Sequence, residues 1–454
     1  MVEVLTLKTP ELGDRTYLIH DGHQAIVVDP QRDTDRLLAL AESAGVKISC
    51  VAETHIHNDY VSGGWSLSQQ LGSRYLVAAA DDVGFQRHPV AEGDRVEIGP
   101  MTLQALATPG HTANHLSYLL LVEDTPQAVF SGGSLLYGSV GRTDLVSSSL
   151  TEELARAQHR SALRLAALPG EIDLYPTHGF GSFCASAPPP VTEPSHTLAT
   201  QRDSNPAMTD DEEGFVRDLL AGYSLYPRYY VHMAPLNLGG ATPPDLSLPA
   251  EIEIQQVGRR IQDGEWVVDL RPRTEFGASH VAGTVNFPTG DLLATYVGWV
   301  VPWGEALTVV ATPEESVCRA RRDLARIGID WLSAWSRAPL AQLEEQLGRS
   351  SYQVTNFDGL AEALRSQDVQ ILDARRPDEW RQRHIKNAIN IHLADLPTRI
   401  GELPDRPTWV HCAAGYRAAV AASLLDRAGR EVVLVDDIID RVEEVGLDMV
   451  SGPE

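Results

Sequence analysis

The sequence has few cysteines, no long apolar run and too few basic residues to balance its acidic ones. Four cysteines in 454 residues show no paired spacing, so we expect no disulfide framework and a reducing compartment, the cytoplasm. No apolar stretch is long enough to span a bilayer, and the N-terminal residues lack the basic-then-apolar pattern of an export signal. We therefore expect neither a secreted disulfide scaffold nor a membrane protein.

Acidic residues outnumber basic ones by 62 to 37, which gives a formal net charge of −25. This excess argues against nucleic acid or an anionic membrane as the main partner. An anionic substrate would have to be held by local arginines or backbone N–H groups. A hydrophobic content of 43% is typical of a globular protein, and the length predicts about three domains.

The second half of the chain contains a duplicated segment. Residues 268–286 and 372–390 share aspartate, arginine, glutamate, histidine and asparagine at one constant offset of 104 residues, without a gap. A repeat of this length indicates a duplicated domain rather than a solenoid unit. In each copy an apolar strand precedes a loop, a short helix and another strand, which predicts an α/β layer with a parallel sheet.

The second copy contains the most informative motif, a cysteine followed by a short loop and an apolar helix. Cys412 follows the strand end Trp409-Val410, and Arg417 lies five residues after Cys412. Backbone N–H groups of such a loop and the helix dipole favour a thiolate, which is a nucleophile. The loop residues expected to surround a substrate are Ala413, Ala414, Gly415 and Tyr416. A buried structural cysteine at a helix start is the alternative interpretation.

This motif resembles the active-site loop of the rhodanese family of sulfurtransferases, in which the cysteine holds a persulfide sulfur. The resemblance implies that Cys412 and Arg417 are the catalytic residues, and that Arg417 and the loop amides stabilise the anionic sulfur. Related phosphatases have one more residue between cysteine and arginine, so four intervening residues resemble the sulfur-transferring form. Both copies resemble rhodanese domains, but in the first copy Thr312 stands opposite Cys412 and is followed by Pro313 and Glu314-Glu315. We expect the first copy to be inactive, to serve as a structural bridge or docking surface, and to use Cys318 for packing.

The N-terminal half contains histidines at the ends of apolar, strand-like segments. His55, His57 and Asp59 lie within five residues, and His111 and His178 each follow a later apolar segment. Zinc and ferrous iron favour this mixture of imidazole and carboxylate ligands. The pattern resembles the metallo-β-lactamase fold, and within it the glyoxalase II and persulfide dioxygenase branch. The resemblance implies a four-layer αββα sandwich and a pocket for glutathione persulfide in which Arg142 holds an anionic group.

Two positions depart from the family pattern. Tyr60 stands where the first motif normally ends in histidine, and Gly133 stands where the family has its metal-binding aspartate. We therefore expect at most one divalent metal, held by His55, His57 and His111, with Asp59 and His178 as additional ligands or hydrogen-bond partners. The metal would be Fe(II) in a dioxygenase-like enzyme and Zn(II) otherwise. A relic site that binds no metal is the alternative.

The predicted architecture is an αββα metallo-β-lactamase sandwich at residues 1–248 followed by two α/β rhodanese domains with parallel sheets. The first rhodanese domain, inactive, spans residues 249–349, and the second, active, spans residues 350–454. A homo-oligomer is among the oligomeric states that the sequence allows.

The predicted function is oxidation of a thiol persulfide coupled to sulfur transfer through a Cys412 persulfide, with low-molecular-weight persulfides, sulfite and thiosulfate as substrates or products. Three alternatives are a sulfurtransferase with a non-catalytic N-terminal domain, a glyoxalase II-type thioester hydrolase, and a non-enzymatic sulfur-relay scaffold. All sulfur-transfer interpretations require that reagents reach the Cys412 sulfur.

Overall fold

The computed structural model describes residues 2–187, 196–366 and 368–452, and it divides into two compact units. The first unit comprises residues 1–245 with 325–328, and the second comprises residues 246–324 with 329–454. The predicted division into three domains stays a prediction. None of the described helices is both long and apolar enough to cross a membrane.

The first unit contains two mixed β-sheets. In the first sheet, antiparallel strands β1 to β3 continue into parallel strands β4 to β6. In the second sheet, β7 to β10 are antiparallel and β11 pairs parallel with β10. The strands are β1 Glu3–Thr9, β2 Asp14–His20, β3 Gln24–Val28, β4 Lys47–Ala52, β5 Arg74–Ala78, β6 His88–Val90, β7 Arg95–Ile98, β8 Met101–Ala107, β9 Leu116–Val122, β10 Thr125–Gly132 and β11 Asp173–Pro176.

Helices cover the outer faces of these sheets. Leu37 and Leu67, from two helices, pack with alternate residues of the first sheet, whereas Ala155 and Phe215 pack against the second. A third cluster, including Tyr118, fills the space between the sheets. These layers form the predicted αββα sandwich. The helices are α1 Asp35–Ala44, α2 Gly64–Leu71, α3 Thr151–Ala166, α4 Leu198–Ser204, α5 Pro206–Thr209, α6 Glu212–Ala221 and α7 Tyr230–Gly239.

The second unit contains two parallel sheets with the same strand order. The first has the order β12-β17-β16-β13-β15 and the second the order β19-β24-β23-β20-β22. Small antiparallel pairs, β14 with β18 and β21 with β25, accompany them. The strands are β12 Ala250–Glu251, β13 Trp266–Asp269, β14 His280–Val281, β15 Val285–Asn286, β16 Leu307–Val310, β17 Leu332–Trp335, β18 Arg349–Ser350, β19 Gln353–Thr355, β20 Gln370–Asp373, β21 His384–Ile385, β22 Ile389–Asn390, β23 Thr408–His411, β24 Val432–Val435 and β25 Met449–Val450.

Helices connect these parallel strands, as crossover connections require. They are α8 Ile254–Gln262, α9 Arg273–Ala278, α10 Leu293–Val300, α11 Glu314–Arg326, α12 Leu340–Leu347, α13 Phe357–Ser366, α14 Pro377–Gln382, α15 Leu396–Arg399 and α16 Tyr416–Arg427, with 3₁₀ helices at Ile400–Glu402 and Ile439–Arg441.

The residues that recur in sequence make the same hydrogen bonds in both copies. Arg271 Nη2 lies 2.6 Å from Asp269 Oδ2, and Arg375 Nη2 lies 2.6 Å from Asp373 Oδ2. In each copy the recurring asparagine donates to two backbone carbonyl oxygens at 3.0 Å. The recurring histidine bonds through Nδ1 to the carbonyl four residues earlier at 2.8 Å. Buried charges and amides need such partners, so these residues hold the loop after the first strand rather than perform chemistry.

The cysteines are all free, in agreement with the expectation that there is no disulfide framework. Cys50, Cys184 and Cys412 are buried, whereas Cys318 is exposed. The prediction that Cys318 serves packing is therefore wrong. In helix α11 its neighbour Val317 is fully buried instead, so the inward face of the helix passes through position 317 and leaves position 318 on the outside.

Candidate functional sites

The predicted metal-binding histidines lie on loops that follow the carboxyl ends of strands. His55 and His57 follow β4, His111 follows β8, and His178 follows β11. All four imidazoles are buried, and the centroids of the His55 and His111 rings are 4.8 Å apart. The fold therefore brings together residues that span more than 120 positions of the chain.

In three of these rings, Nδ1 forms a hydrogen bond with a group that is not one of the clustered imidazoles. Thr54 Oγ1 donates to Asp29, so it accepts from the His55 ring. Such an outer bond fixes the ring and leaves Nε2 as the ligand atom, which is the usual arrangement of metal-binding histidines. The bonds join His55 Nδ1 to Thr54 Oγ1 at 2.9 Å, His111 Nδ1 to the carbonyl oxygen of Arg142 at 2.7 Å, and His178 Nδ1 to Asp14 Oδ1 at 2.8 Å.

Two of these Nε2 atoms have the spacing of neighbouring ligands on one metal ion, and they also lie within hydrogen-bond distance of each other. His55 Nε2 and His178 Nε2 lie 3.3 Å apart, and tetrahedral zinc with Zn–N bonds of about 2.05 Å separates its nitrogens by about the same distance. His111 Nε2 is buried without a hydrogen-bond partner among the described residues. Burial lowers the pKa of His111 to about 3, so its imidazole is neutral at pH 7, as a ligand must be.

His57 is oriented differently. Its Nε2 lies 3.2 Å from Glu53, 3.4 Å from Asp29 and 3.0 Å from the Tyr60 hydroxyl. Burial alone would lower the pKa of His57, but the Asp29 and Glu53 carboxylates outweigh it and raise the pKa to about 9. The other nitrogen, Nδ1, makes no hydrogen bond within the described part of the chain and is the atom left for a metal.

His178 lies closer to the centre of the site than its predicted role, an additional ligand or hydrogen-bond partner, would require. Within the described ranges, four groups of His, Cys, Asp and Glu side chains have ligand atoms close enough together to hold a metal, and His178 belongs to three of these groups. None of the four groups contains the predicted trio of His55, His57 and His111 together. Asp59 lies 3.1 Å from His178 Nδ1, so it acts through that histidine. Asp14 and Asp59 overcome the effect of burial and raise the pKa of His178 well above its ordinary value.

Tyr60 and Gly133, the two residues that depart from the family pattern, make other contacts in the site. The Tyr60 hydroxyl bonds to His57 and to the carbonyl oxygen of Asp29. At Gly133 a Cβ atom would lie 2.2 Å from Cδ2 of His111, and the Gly133 N–H donates to His115 Nε2 at 3.0 Å. A carboxylate side chain at position 133 has no space, so the residues fit one metal held by imidazoles and do not fit a bridged pair.

Sequence reasoning missed three members of this site. Asp14 lies at the start of β2 and Cys184 on a later loop, and neither is part of a recognisable motif. Cys184 joins His111 and His178 in one candidate metal group. His115 stands four residues after His111, and this spacing was the one available signal.

Arg142 is placed differently from the sequence expectation. Its Nε and Nη2 bond to the two carboxylate oxygens of Asp144 at 2.7 and 2.8 Å, and it also donates to the carbonyl oxygens of Phe183 and Ser224. The side chain is buried. Arg142 thus holds the loop whose carbonyl oxygen fixes His111, and these bonds use four of its five N–H donors. The predicted contact with an anionic substrate group stays a prediction.

The Cys412 loop lies between strand β23 and helix α16. The Gly415 N–H donates to Cys412 Sγ at 3.1 Å, and α16 begins at the next residue. Both the N–H dipole and the helix N-terminus favour negative charge on sulfur. The predicted loop geometry is therefore present around the thiol.

The loop arginine is paired with a carboxylate. Arg417 Nη2 lies 2.8 Å from Glu379 Oε1, and Nη1 bonds to the other oxygen. Burial would raise the pKa of Glu379, but Arg417 outweighs it and lowers the pKa to about 2. This bidentate pair fixes Arg417 at the edge of the loop and neutralises its charge.

The first repeat supports this loop. Arg273 Nε lies 2.8 Å from Asp436 Oδ1, beside Gly415, and the Tyr416 hydroxyl donates to the carbonyl oxygen of Pro288 at 2.8 Å. The ring of Tyr296 stacks on that of Tyr416 with centroids 5.1 Å apart. The repeat without a loop cysteine thus contacts the loop of the repeat that has one.

Cys412 is only 1% exposed. Ala413 is half-buried and Ala414 is exposed, so the backbone of the loop, rather than the sulfur, faces solvent. A donor molecule has to reach the sulfur past these two residues. This burial is the observation that counts most against sulfur transfer, because the reaction requires an accessible nucleophile.

In the first repeat the corresponding loop is closed by other contacts. Thr312 Oγ1 donates to the carbonyl oxygen of Val310 at 2.7 Å. Glu314 and Glu315 are exposed at the start of α11, and Glu314 pairs with Arg337. The two carboxylates therefore face outward rather than into the loop, and it is Thr312 that occupies the cysteine position.

Two protein families match separate segments of the chain. Residues 12–178 match the metallo-β-lactamase superfamily, and residues 356–440 match the rhodanese-like domain. The mitochondrial persulfide dioxygenase ETHE1 of Bos taurus is 27% identical over 241 residues, which cover 52% of this chain and 88% of that protein. A hydroxyacylglutathione hydrolase of Cupriavidus taiwanensis is 32% identical over 173 residues, which cover 36% of this chain and 62% of that protein.

Among solved structures, a metallo-β-lactamase from Staphylococcus aureus subsp. aureus COL resembles this chain with a TM-score of 0.66 and 25% identity. The superposition covers 74% of this chain and 98% of that one. The chain thus combines a metallo-β-lactamase fold that is homologous to persulfide dioxygenases with a C-terminal rhodanese domain.

We predict that Gly133→Ala lowers the free energy of unfolding by about 1–3 kcal/mol, the usual cost of overpacking a close contact. The added Cβ would collide with the His111 ring. Gly239→Ala is the control, because a Cβ there meets nothing within 4 Å. Chemical denaturation of both variants measures the difference, and equal stabilities would contradict the contact at Gly133.

We also predict that Gly415→Ala destabilises the protein more than Gly429→Ala does. Both glycines have positive φ angles, of 88° and 74°, so backbone strain is common to both. At Gly415, but not at Gly429, a Cβ would collide with Asp436 Oδ1. Thermal unfolding compares the two variants, and a matching loss of stability would show that Asp436 does not constrain the loop.

Proposed function

We propose that this chain, in which a metallo-β-lactamase fold precedes a rhodanese domain, transfers sulfur through Cys412 and oxidises a thiol persulfide in its N-terminal unit. Homology to persulfide dioxygenases and to rhodanese domains supports an enzyme of sulfur metabolism. The hydrogen bond from the Gly415 N–H to Cys412 Sγ at the start of α16 is the observation that supports the proposal most directly.

In the transfer step, the Cys412 thiolate attacks the outer sulfur of thiosulfate. A Cys412 S–S bond forms, the S–S bond of thiosulfate breaks, and sulfite leaves with the electron pair of that bond. A thiolate acceptor then attacks the outer sulfur of the Cys412 persulfide and becomes a persulfide itself, which regenerates the Cys412 thiolate. The Gly415 N–H stabilises the negative charge on the Cys412 sulfur. The Arg417–Glu379 pair holds the start of α16 in place.

In the N-terminal unit, one of two groups, His55, His57 and His178 or His111, His178 and Cys184, would hold one metal. The metal would displace the proton that the neighbouring carboxylates favour on His57 and His178. A bound redox-active metal such as Fe(II) would supply the activation of O₂. In the net reaction, RSSH, O₂ and H₂O give RSH, sulfite and two protons, so O₂ is the oxidant and the outer sulfur is oxidised. Asp14 and Asp59 orient His178, and Arg142 orients His111 through its carbonyl oxygen.

The alternatives differ in what they require of the N-terminal unit. A plain sulfurtransferase needs no metal there. A thioester hydrolase of the glyoxalase II type needs two metals, which the contact between His111 and Gly133 opposes. A sulfur-relay scaffold needs Cys412 to accept a sulfur atom without turnover.

We predict that Cys412→Ser abolishes thiosulfate:cyanide sulfur transfer, because the atom that accepts sulfur is lost, whereas Cys318→Ser leaves it intact. Iodoacetamide labelling followed by mass spectrometry shows whether Cys412 is reachable, with the exposed Cys318 as the internal reference. Transfer that survives the loss of Cys412, or a Cys412 that resists labelling completely, contradicts the sulfurtransferase assignment. A stable extra sulfur without turnover identifies the relay scaffold.

We predict at most one bound metal per chain and its loss in the variant His55→Ala/His111→Ala. The control is His23→Ala/His88→Ala, which removes two exposed histidines outside the cluster. Elemental analysis after purification measures the metal, and equal contents in both variants rule out the histidine site.

Oxygen uptake with a thiol persulfide then separates a dioxygenase, which consumes O₂, from a plain sulfurtransferase.

A further inference from the structure

A cavity of about 420 Å³ borders the histidine cluster of the N-terminal unit. Ile56 and Asn58, on either side of His57, line it, and so does Thr112, which follows His111. Tyr230 lines it as well, and the Sγ of Cys184, a member of one candidate metal group, donates to the Tyr230 hydroxyl. The cluster histidines are not among the described residues that line the cavity, so a molecule in it borders the loops that carry them. The size is that of a small-ligand site.

The wall opposite the histidine loops is mainly apolar. Helix α7 presents Val231 and Leu238 to the cavity, and the loop before α3 presents Leu145 and Val146. Val231 is 64% exposed and Val146 is 46% exposed, so apolar surface lies open to water at the cavity. A ligand that covers this surface gains free energy in proportion to the apolar area that it removes from water.

The polar part of the lining contains one carboxylate and no cation. Asp81 accepts a hydrogen bond from Asn114 Nδ2 at 2.8 Å. No lysine or arginine is among the described residues that line the cavity. Arg87 lies beside Asp81, but its Nη2 donates to the backbone carbonyl oxygens of Ala79 and Asp81.

The arginine expected to hold an anionic substrate is not available to this cavity. Arg142 is buried, and it is bound by Asp144 and by two carbonyl oxygens. A substrate carboxylate in the cavity would therefore meet Asp81 and apolar side chains. The guanidinium of Arg142 lies 4.8 Å from the ring centroid of Tyr226, a lining residue, but it is already paired with Asp144. Burying a charge in such surroundings is unfavourable.

We propose that this cavity binds thiol persulfides whose carrier group is uncharged and mainly apolar, and that it disfavours carriers with carboxylates such as glutathione. This substrate class rests on the proposed function of the N-terminal unit. The sulfur end would face the histidine cluster, and the carrier would lie along Val231 and Leu145, with its polar groups at Asn58 and Asn114.

The test uses thioethers that bind but cannot react. We expect S-methyl-N-acetylcysteamine, which is uncharged, to bind the full chain at least about tenfold more tightly than S-methylglutathione in isothermal titration calorimetry, as one unfavourable charge contact predicts. Asp81→Asn should raise the affinity for S-methylglutathione several-fold. Asp82→Asn is the matched control, because Asp82 is exposed and does not line the cavity.

A second pair of variants tests the apolar wall. Val231→Ser should weaken binding of the uncharged thioether several-fold, whereas Leu236→Ser should not. Both residues are exposed on α7, but only Val231 lines the cavity. The proposal is overturned if S-methylglutathione binds as tightly as the uncharged thioether, if neither binds, or if Val231→Ser and Leu236→Ser behave alike. Because these probes measure binding alone, a protein that shows this selectivity but consumes no O₂ would contradict the proposed oxidation and leave the binding class standing.

Discussion

Burying a charge without a partner costs several kilocalories per mole, and this constraint governs the geometry of both candidate sites. His57 lies between Asp29 and Glu53, and His178 lies between Asp14 and Asp59. Removing the histidine from such a group would leave two carboxylates buried side by side without a cation.

The same constraint fixes the two arginines that sequence reasoning assigned to anions. Arg142 is held by Asp144, and Arg417 is held by Glu379. Both guanidinium groups are held in position by bidentate pairing with a carboxylate. Each arginine orients backbone that a functional atom depends on, and this role requires no direct contact with a substrate.

The sequence was informative where local chemistry decides structure. Apolar strands followed by histidine-containing turns predicted where the imidazoles meet, and the constant offset between the repeats predicted two parallel sheets. Position 318 was assigned to the wrong face of α11, because a helix read without its neighbours has no fixed rotation. Asp14 and His115 were missed for a related reason, since their roles come from contacts with residues far away in the chain.

The duplicated half shows how the two copies diverged around one scaffold. The Asp-Arg pair, the histidine and the asparagine keep their bonds in both copies, so the fold of each is maintained without reference to catalysis. The loops after β16 and β23 lie outside this network. A threonine at the cysteine position is therefore compatible with the fold of the first repeat, and Arg273 and Tyr296 of that repeat contact the loop of the other.

The contact between His111 and Gly133 also limits which residues position 133 can hold. In this chain the imidazole fills the space that any side chain there would need. A substitution that introduces a carboxylate at position 133 would therefore have to move a candidate metal ligand as well. Position 133 and the His111 ring can consequently change only together.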